Sequence, residues 1–413
     1  MNDIETIRMR IVSTMITAAV LGMLFVSLPA TAEKALEKAS GKTIPAPLVD
    51  LRRFTTVRDG VQVIHLPAGM HGISTTLQLS SNTVLEGDGE ATILMADTSF
   101  SGSQFITNSD HANGNRNISI RNLRMEIALP FLPGDEPGII RFKNLEQLEI
   151  DKVTMVIDAP MYGIDLSAQI RNATVQGCAI TNKKGGGGIM IRNGDPFPAK
   201  ATSGIVVRHN RIESAGDEPI AAFGWEGVVE NVRIEDNTIG AKDASFGITA
   251  FGIDFVKHRG KIHDVSIIGN HISGGNVGGI GIKGGAWSVQ AADNSIEGTA
   301  GDGIFLHTGG EGLPGVHDIL ILRNKIINAG RHCIFAAGTD LQVQKNEIEN
   351  CAQSGIYAAG NVSVIDNVIT NAKPGILAYE AEQNDIRGNL LRNASLILIP
   401  KKGRSVVKDK EAR

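Results

Sequence analysis

The hydrophobic positions of the chain recur in a short frame: Ile or Val, two residues, Asn, one residue, Ile. It reads VRHNRI, IEDNTI, IIGNHI, AADNSI, ILRNKI, VQKNEI, VIDNVI and, with Leu closing, IRGNLL. The asparagines are Asn210, Asn237, Asn270, Asn294, Asn324, Asn346, Asn367 and Asn389, at spacings of 27, 33, 24, 30, 22, 21 and 22. Upstream the frame continues with Cys178, Val153 and Leu123 in the asparagine slot, which makes eleven turns at a mean step of about 27 residues. A second run sits between these frames: YGIDL, GGIMI, EPIAA, FGIDF, GGIGI, DGIFL, HCIFA, SGIYA and PGILA, starting at Tyr162, Gly187, Glu218, Phe251, Gly278, Asp302, His332, Ser354 and Pro374. Each repeat thus holds two period-2 runs separated by Gly/Asn turns, and period 2 with β-branched residues predicts strands. Helical periodicity is nearly absent after the first residues, which excludes a parallel sheet with helical crossovers.

Strands repeating every 20 to 33 residues describe a solenoid, and a parallel β-helix fits best. Each coil bonds only to the coils above and below, so identical positions stack, Ile on Ile inside and Asn on Asn at the bend. Asparagine suits a bend because it tolerates a left-handed backbone and its side chain can bond the next asparagine. A leucine-rich solenoid would need a leucine consensus that is missing. A propeller blade needs four strands, for which 27 residues is short.

Composition agrees. Glycine is 48 of 413 residues, as sharp turns require, and aromatics are only 4%. A net charge of −4 argues against non-specific nucleic-acid binding. Three cysteines make no disulfide framework; Cys178, Cys333 and Cys351 read as small core residues, at least one of them unpaired.

Arg8 and Arg10 precede an apolar run over residues 11–28, followed by Pro29 and Ala30-Thr31-Ala32. This pattern predicts a signal peptide cleaved after Ala32, with an uncleaved anchor as the alternative. The expected organisation is a signal peptide at 1–32, a lead-in and cap at 33–60, a β-helix domain at 61–400 and a charged tail at 401–413. The expected location is periplasmic or extracellular, with no stable membrane span after processing.

The pattern resembles the right-handed parallel β-helix proteins of the pectate-lyase-like superfamily. Residues 61–94 (VQVIHLPAGMHGISTTLQLSSNTVLEGDGEATIL) resemble that group's opening coils, and the likeness runs to about residue 391. It implies an all-β fold, a right-handed single-stranded parallel β-helix of about eleven or more coils, and it is less specific for a reaction.

In each Gly-Ile run the isoleucine points inward and alternate residues point out. The first outward column then reads Asp165, Met190, Ala221, Asp254, Gly281, Phe305, Phe335, Tyr357, Leu377. The second reads Ser167, Arg192, Phe223, Val256, Lys283, His307, Ala337, Ala359, Tyr379. Charge is confined to the stretch from Asp165 to His307. Both tryptophans, Trp225 and Trp287, fall beside it, and so do the longest repeats. Outward charges on a solenoid also serve solubility alone, so the strip is a candidate groove rather than a motif.

An open groove along stacked strands suits a linear sugar polymer. The candidate catalytic residues are Asp217, Glu218, Asp254, Lys283, Asp302 and His307. The candidate substrate-binding residues are Asp165, Arg192, Trp225 and Trp287. Hydrolysis needs an acid and a second carboxylate. The segment Gly216-Asp217-Glu218-Pro219-Ile220-Ala221 resembles the Gly-Asp-Asp-x-Ile-Ala of polygalacturonase-type hydrolases, and Asn193-Gly194-Asp195 faintly resembles their Asn-Thr-Asp. Their Gly-His-Gly and Arg-Ile-Lys segments are missing. Elimination needs a base beside a uronate carboxylate, for which Lys283, Arg192, Lys257 and Arg259 are candidates. Lyases of this fold often use Ca²⁺, which Asp165, Asp254 and Asp302 could hold; no other cofactor is expected. The Asp-Pro-His-Asp segment of mannuronan epimerases is not found. His258, His263 and His271 lie on different local elements, against shared metal ligation, and the four glycines at residues 185–188 lack the context of a phosphate loop.

The expected function is an exported lyase or glycoside hydrolase acting on an acidic polysaccharide. The alternatives are a non-catalytic polysaccharide-binding or structural β-helix and, on the Asn-x-Ile repeat shared with copper-associated periplasmic β-helix proteins, a metal-delivery accessory protein.

Overall fold

The computed structural model describes residues 50–97, 99–128, 138–194, 200–214, 216–252, 254–255, 258–307, 315–380 and 383–400. The expected leader at 1–32 and tail at 401–413 lie outside them. The described chain is strand throughout, apart from turns and a 3-10 turn at Leu51–Phe54. Thr55–Arg58 pairs antiparallel with Val61–Leu66 at the start of the solenoid. From there the pairs that join coil to coil are parallel, which is the β-helix the repeat predicts; one antiparallel hairpin projects from the solenoid.

Each coil has three faces, not two, and in places one strand runs through two of them, as Ile334–Gln344 does. In the coil that includes Lys283 the faces are the strands Gly278–Lys283, Trp287–Ala292 and Ser295–Glu297. We call the three stacks the first, second and third sheets. The Ile-x-x-Asn-x-Ile frame spans the corner between the second and third sheets, so what reads as one run is two strands meeting at the asparagine. The left-handed residue there is not the asparagine but the one before it: φ is 53° at Asp236, 56° at Asp293, 53° at Arg323 and 55° at Lys345. That residue turns the chain, and the asparagine after it is freed to bond along the axis.

Inward isoleucines fill the core. Ile189, Ile220, Ile248, Ile280, Ile304 and Ile334 stack one per coil and are fully buried. Burying each such side chain is worth roughly 1.5–3 kcal/mol. The glycine before them has a steric reason. A Cβ at Gly279 would lie 2.5 Å from Ile296 Cγ2, and one at Gly303 would lie 2.4 Å from Ile326 Cγ2. The Gly of Gly-Ile and the last Ile of Asn-x-Ile therefore touch across the core, which is why the two motifs recur together.

All three cysteines lie in the core, as expected. Cys333 and Cys351 form a disulfide, while Cys178 is free and buried. The pair closes a single coil, joining the start of its first sheet to the end of its third, 18 residues apart in sequence.

Candidate active site

The outward face of the first sheet carries most of the predicted residues, in a register that differs at one coil. The segment SFGITAFGIDF holds two Phe-Gly-Ile triplets. The first of them takes the coil: Phe246–Gly252 is the strand, and Ile248 pairs with Ile220 and Ile280. Thr249 and Phe251 therefore occupy the places expected for Asp254 and Val256. The surplus residues leave the sheet as a hairpin in which Asp254–Phe255 pairs antiparallel with His258–Arg259. Asp254 does not belong to the column. Asp195 and Lys257 lie outside the described residues.

A third set of positions, missed in the sequence, stands two residues before the inward isoleucine. It contains Tyr162, Gly187, Glu218, Phe246, Gly278, Asp302, His332 and Ser354. Asp302 pairs with Gly278 and Gly278 with Phe246. The sequence carries the signal, since Glu218, Asp302 and Tyr162 share this offset.

Glu218 is only 8% exposed. The Tyr162 hydroxyl donates to its Oε2 at 3.4 Å, and its own backbone N–H donates to Asp217 Oδ1 at 2.9 Å. Burial, with the Asp217 carboxyl hydrogen-bonded beside it, pushes the Glu218 carboxyl up to about 8. The same burial pushes the Tyr162 phenol well above its ordinary range. Lys283 is within electrostatic reach of Glu218. Burial lowers its ammonium pKa and the Glu218 charge opposes that shift. Its Nζ lies 4.4 Å from the Phe246 ring centroid and 5.0 Å from that of Phe251. The Phe246 ring in turn covers Gly281, where a Cβ would meet it at 2.9 Å. Thr249 Oγ1, in the outward column between Ala221 and Gly281, is buried with no hydrogen-bond partner among the described residues. The arrangement offers an acid protonated at neutral pH and an amine biased toward its neutral form.

Other predicted residues are held in structural contacts. Asp165 is fully buried: Arg192 binds it through two nitrogens, at 3.0 and 2.7 Å, and Arg141 Nε lies at 3.4 Å. Arg141 also donates to Ser167. Two guanidiniums thus surround one carboxylate. Asp302 is buried as well; its Oδ1 accepts the His332 backbone N–H at 2.9 Å and Arg331 lies 3.6 Å from Oδ2. Burial pushes it up to about 6. The His332 ring meets the Ser354 hydroxyl, and burial lowers that imidazole to about 4. Asp302 bonds the backbone of His332 and not its ring, so these three residues do not form a nucleophile–base–acid relay. His307 is half-buried and its pKa is lowered by burial. It stacks with Phe305, at the head of an aromatic ladder through Phe335, Tyr357 and Tyr379.

The tryptophans part company. Trp225 is 44% exposed. Trp287 lies on the second sheet, away from the Glu218 column, with His263 stacked on it at 4.4 Å and His317 at 6.0 Å. Both of its faces are occupied, so it does not offer the open ring face that sugar stacking needs. Among the described residues no three His, Cys, Asp or Glu side chains gather to hold a metal ion. No helix among them is long and apolar enough to cross a membrane.

Solved structures share this architecture. The pre-mature gene product 12 of bacteriophage phi29 superimposes with a TM-score of 0.60 at 13% identity, over 88% of this chain and 56% of that one. The A-module of the mannuronan C-5 epimerase AlgE4 from Azotobacter vinelandii gives 0.57 at 16%, over 82% and 91%. The catalytic unit of a GH87 alpha-1,3-glucanase from Streptomyces thermodiastaticus gives 0.54 at 14%, over 81% and 64%. This chain therefore spans less than two thirds of the phage protein and of the glucanase unit. No match was found among curated protein sequences. The family described as "Right handed beta helix region" matches residues 157–318 and 312–391, more than half of the sequence, and the chain belongs to that family.

Proposed function

We infer that the protein is an exported carbohydrate-active enzyme that cleaves an acidic polysaccharide by elimination at the Glu218–Lys283 site. The observation that carries this reading is the pairing of a carboxyl raised to about 8 with an amine whose pKa is lowered, on one outward face. In an elimination, neutral Lys283 takes the proton on C5 of a uronate, the C4–O4 bond breaks, and protonated Glu218 gives its proton to the departing O4. Tyr162 holds Glu218 in place. Arg192, one coil before the Glu218 strand, and Arg141, three coils before it, flank Asp165 on the same sheet and add positive charge suited to an anionic chain.

Hydrolysis needs two carboxyls on opposite sides of the scissile bond, several ångströms apart. Asp217 and Glu218 are hydrogen-bonded to each other and so act as one group. Asp302 is enclosed. Elimination is therefore the better fit. The structural likeness to an epimerase module and a glucanase supports a carbohydrate substrate in general. A disulfide supports an oxidising compartment.

The deciding experiment incubates the protein with a panel of acidic and neutral polysaccharides and follows ultraviolet absorbance from unsaturated uronate together with new reducing ends. Elimination yields both. Reducing ends without absorbance indicate hydrolysis. Neither, with binding retained, indicates a non-catalytic polysaccharide-binding solenoid, the reading that the burial of Glu218 favours.

A further inference from the structure

The second sheet carries a groove that the Glu218 site does not use. It has a volume of about 610 Å³ and runs across five successive coils. Its origin is a second stack of left-handed residues: φ is 70° at Gly204, 52° at Asn231, 53° at Asp264, 53° at Ser288 and 54° at Asp318. Each folds the sheet inward at the same place in its coil, so the concavity is continuous along the axis. The strands Thr202–Arg208, Val228–Glu235, Lys261–Ile268, Trp287–Ala292 and His317–Leu322 form its floor. At about 4.8 Å per strand the floor is about 19 Å long.

The lining is polar and nearly neutral. Asn231, Ser266, Ser288 and Gln290 supply amides and hydroxyls that both donate and accept, and the charged lining residues are Arg233, Asp264 and Asp318, with Asp264 Oδ2 2.7 Å from His263 Nδ1. The Arg233 guanidinium is also 3.6 Å from Glu235. Val206 and Leu320 close the two ends with apolar surface. The His263–Trp287–His317 stack stands one residue before the corner at Asp264, Ser288 and Asp318, and its mutual ring contacts fix the rim.

We propose that this groove binds a linear, neutral glycan. The lining presents one cation against two carboxylates, so an anionic chain is repelled and gains nothing from Arg233. A floor of alternating donors and acceptors with apolar ends matches a ligand whose hydroxyls and C–H faces alternate. An extended peptide is disfavoured, because the backbone groups of the floor are already bonded to neighbouring coils and cannot add a strand. Every residue of the floor sits on a sheet, so little ordering accompanies binding. The site stands apart from the Glu218 column and does not depend on what happens there.

The test applies fluorescently labelled full-length protein to an array of linear glucans, mannans, galactans and xylans, with polyuronates and extended peptides on the same slide. Retention on a neutral linear glycan is expected. Ser266→Trp and Gln290→Trp, which fill the groove from exposed-side positions, should each weaken that binding at least tenfold. Arg233→Ala serves as a milder second variant, and melting curves verify that each variant is folded. Glu218→Gln should bind the neutral glycan as the wild type does. Four results would overturn the proposal: no neutral glycan retained, binding unchanged in folded groove variants, groove-dependent binding of polyuronates or peptides instead, or loss of binding in Glu218→Gln.

Discussion

The side-chain oxygen of Asn324 accepts two hydrogen bonds from Asn294, one from the backbone N–H at 3.0 Å and one from Nδ2 at 2.9 Å. Asn324 Nδ2 in turn donates to Asn346 Oδ1 at 3.0 Å and to the Ala291 carbonyl at 2.9 Å. The pattern runs unbroken from Asn210 to Asn389.

Each buried asparagine is therefore both acceptor and double donor. Asn324→Asp keeps the acceptor but removes both donors and sets a carboxylate against Asn346 Oδ1. We expect a loss of about 1–3 kcal/mol for each acceptor left unmatched. Thermal denaturation measures it. An unchanged melting temperature would mean that the ladder contributes nothing to stability.

This ladder also marks how far the sequence could be read. Spacing alone exposed the stacking of Asn294 on Asn324, because a solenoid turns periodicity directly into contact. The strand count was less legible. Both sides of the corner obey period 2, and the left-handed Asp293 carries no signature beyond being one residue before the asparagine. Asp254 was misplaced for a related reason. Two identical Phe-Gly-Ile triplets satisfy the same local pattern, and only pairing with Ile220 and Ile280 selects the first. The burial of Asp165 and Glu218 was not legible either. Outward position and solvent exposure are separate properties, and partners such as Arg141, on the neighbouring coil, are set by pairing register and not by the local sequence.

Asp302 and His332 give a pH signature of opposite signs. Asp302 is raised from its ordinary 3.8 to about 6, so its contribution to stability is present below pH 4 and is lost as pH rises to 6. His332 is lowered from 6.5 to about 4, so its contribution is present above pH 6.5 and is lost as pH falls to 4. Relative to the wild type, Asp302→Asn should gain stability as pH rises through this window, and His332→Gln should lose it. Melting temperatures taken every half unit of pH would reveal parallel curves if neither group is perturbed.

The expected leader ends in a small residue, Ala32, on which its processing should depend. Ala32→Leu should block processing and leave a longer, membrane-retained product, because the cleavage pocket admits only a small side chain there. N-terminal sequencing of the secreted wild type should begin at Glu33. A different first residue would move the site, and an unprocessed wild type would favour the anchor.

The Glu218–Lys283 pair makes the most specific claim about chemistry. As base, Lys283 works only when neutral, so activity should rise with pH through its lowered pKa. As acid, Glu218 works only when protonated, so activity should fall above about pH 8. Lys283→Met should reduce turnover by about 100-fold or more while leaving the coil intact, since the methionine still lies against Phe246 and Phe251. Glu218→Gln should reduce it similarly and remove the alkaline limb from whatever activity remains. Tyr162→Phe separates positioning from chemistry: it removes the hydroxyl that steadies Glu218 and should shift the alkaline limb while costing less rate. If Glu218→Gln keeps the alkaline limb in place, the proton donor is another group. If Lys283→Met is as active as the wild type, elimination at this site is wrong.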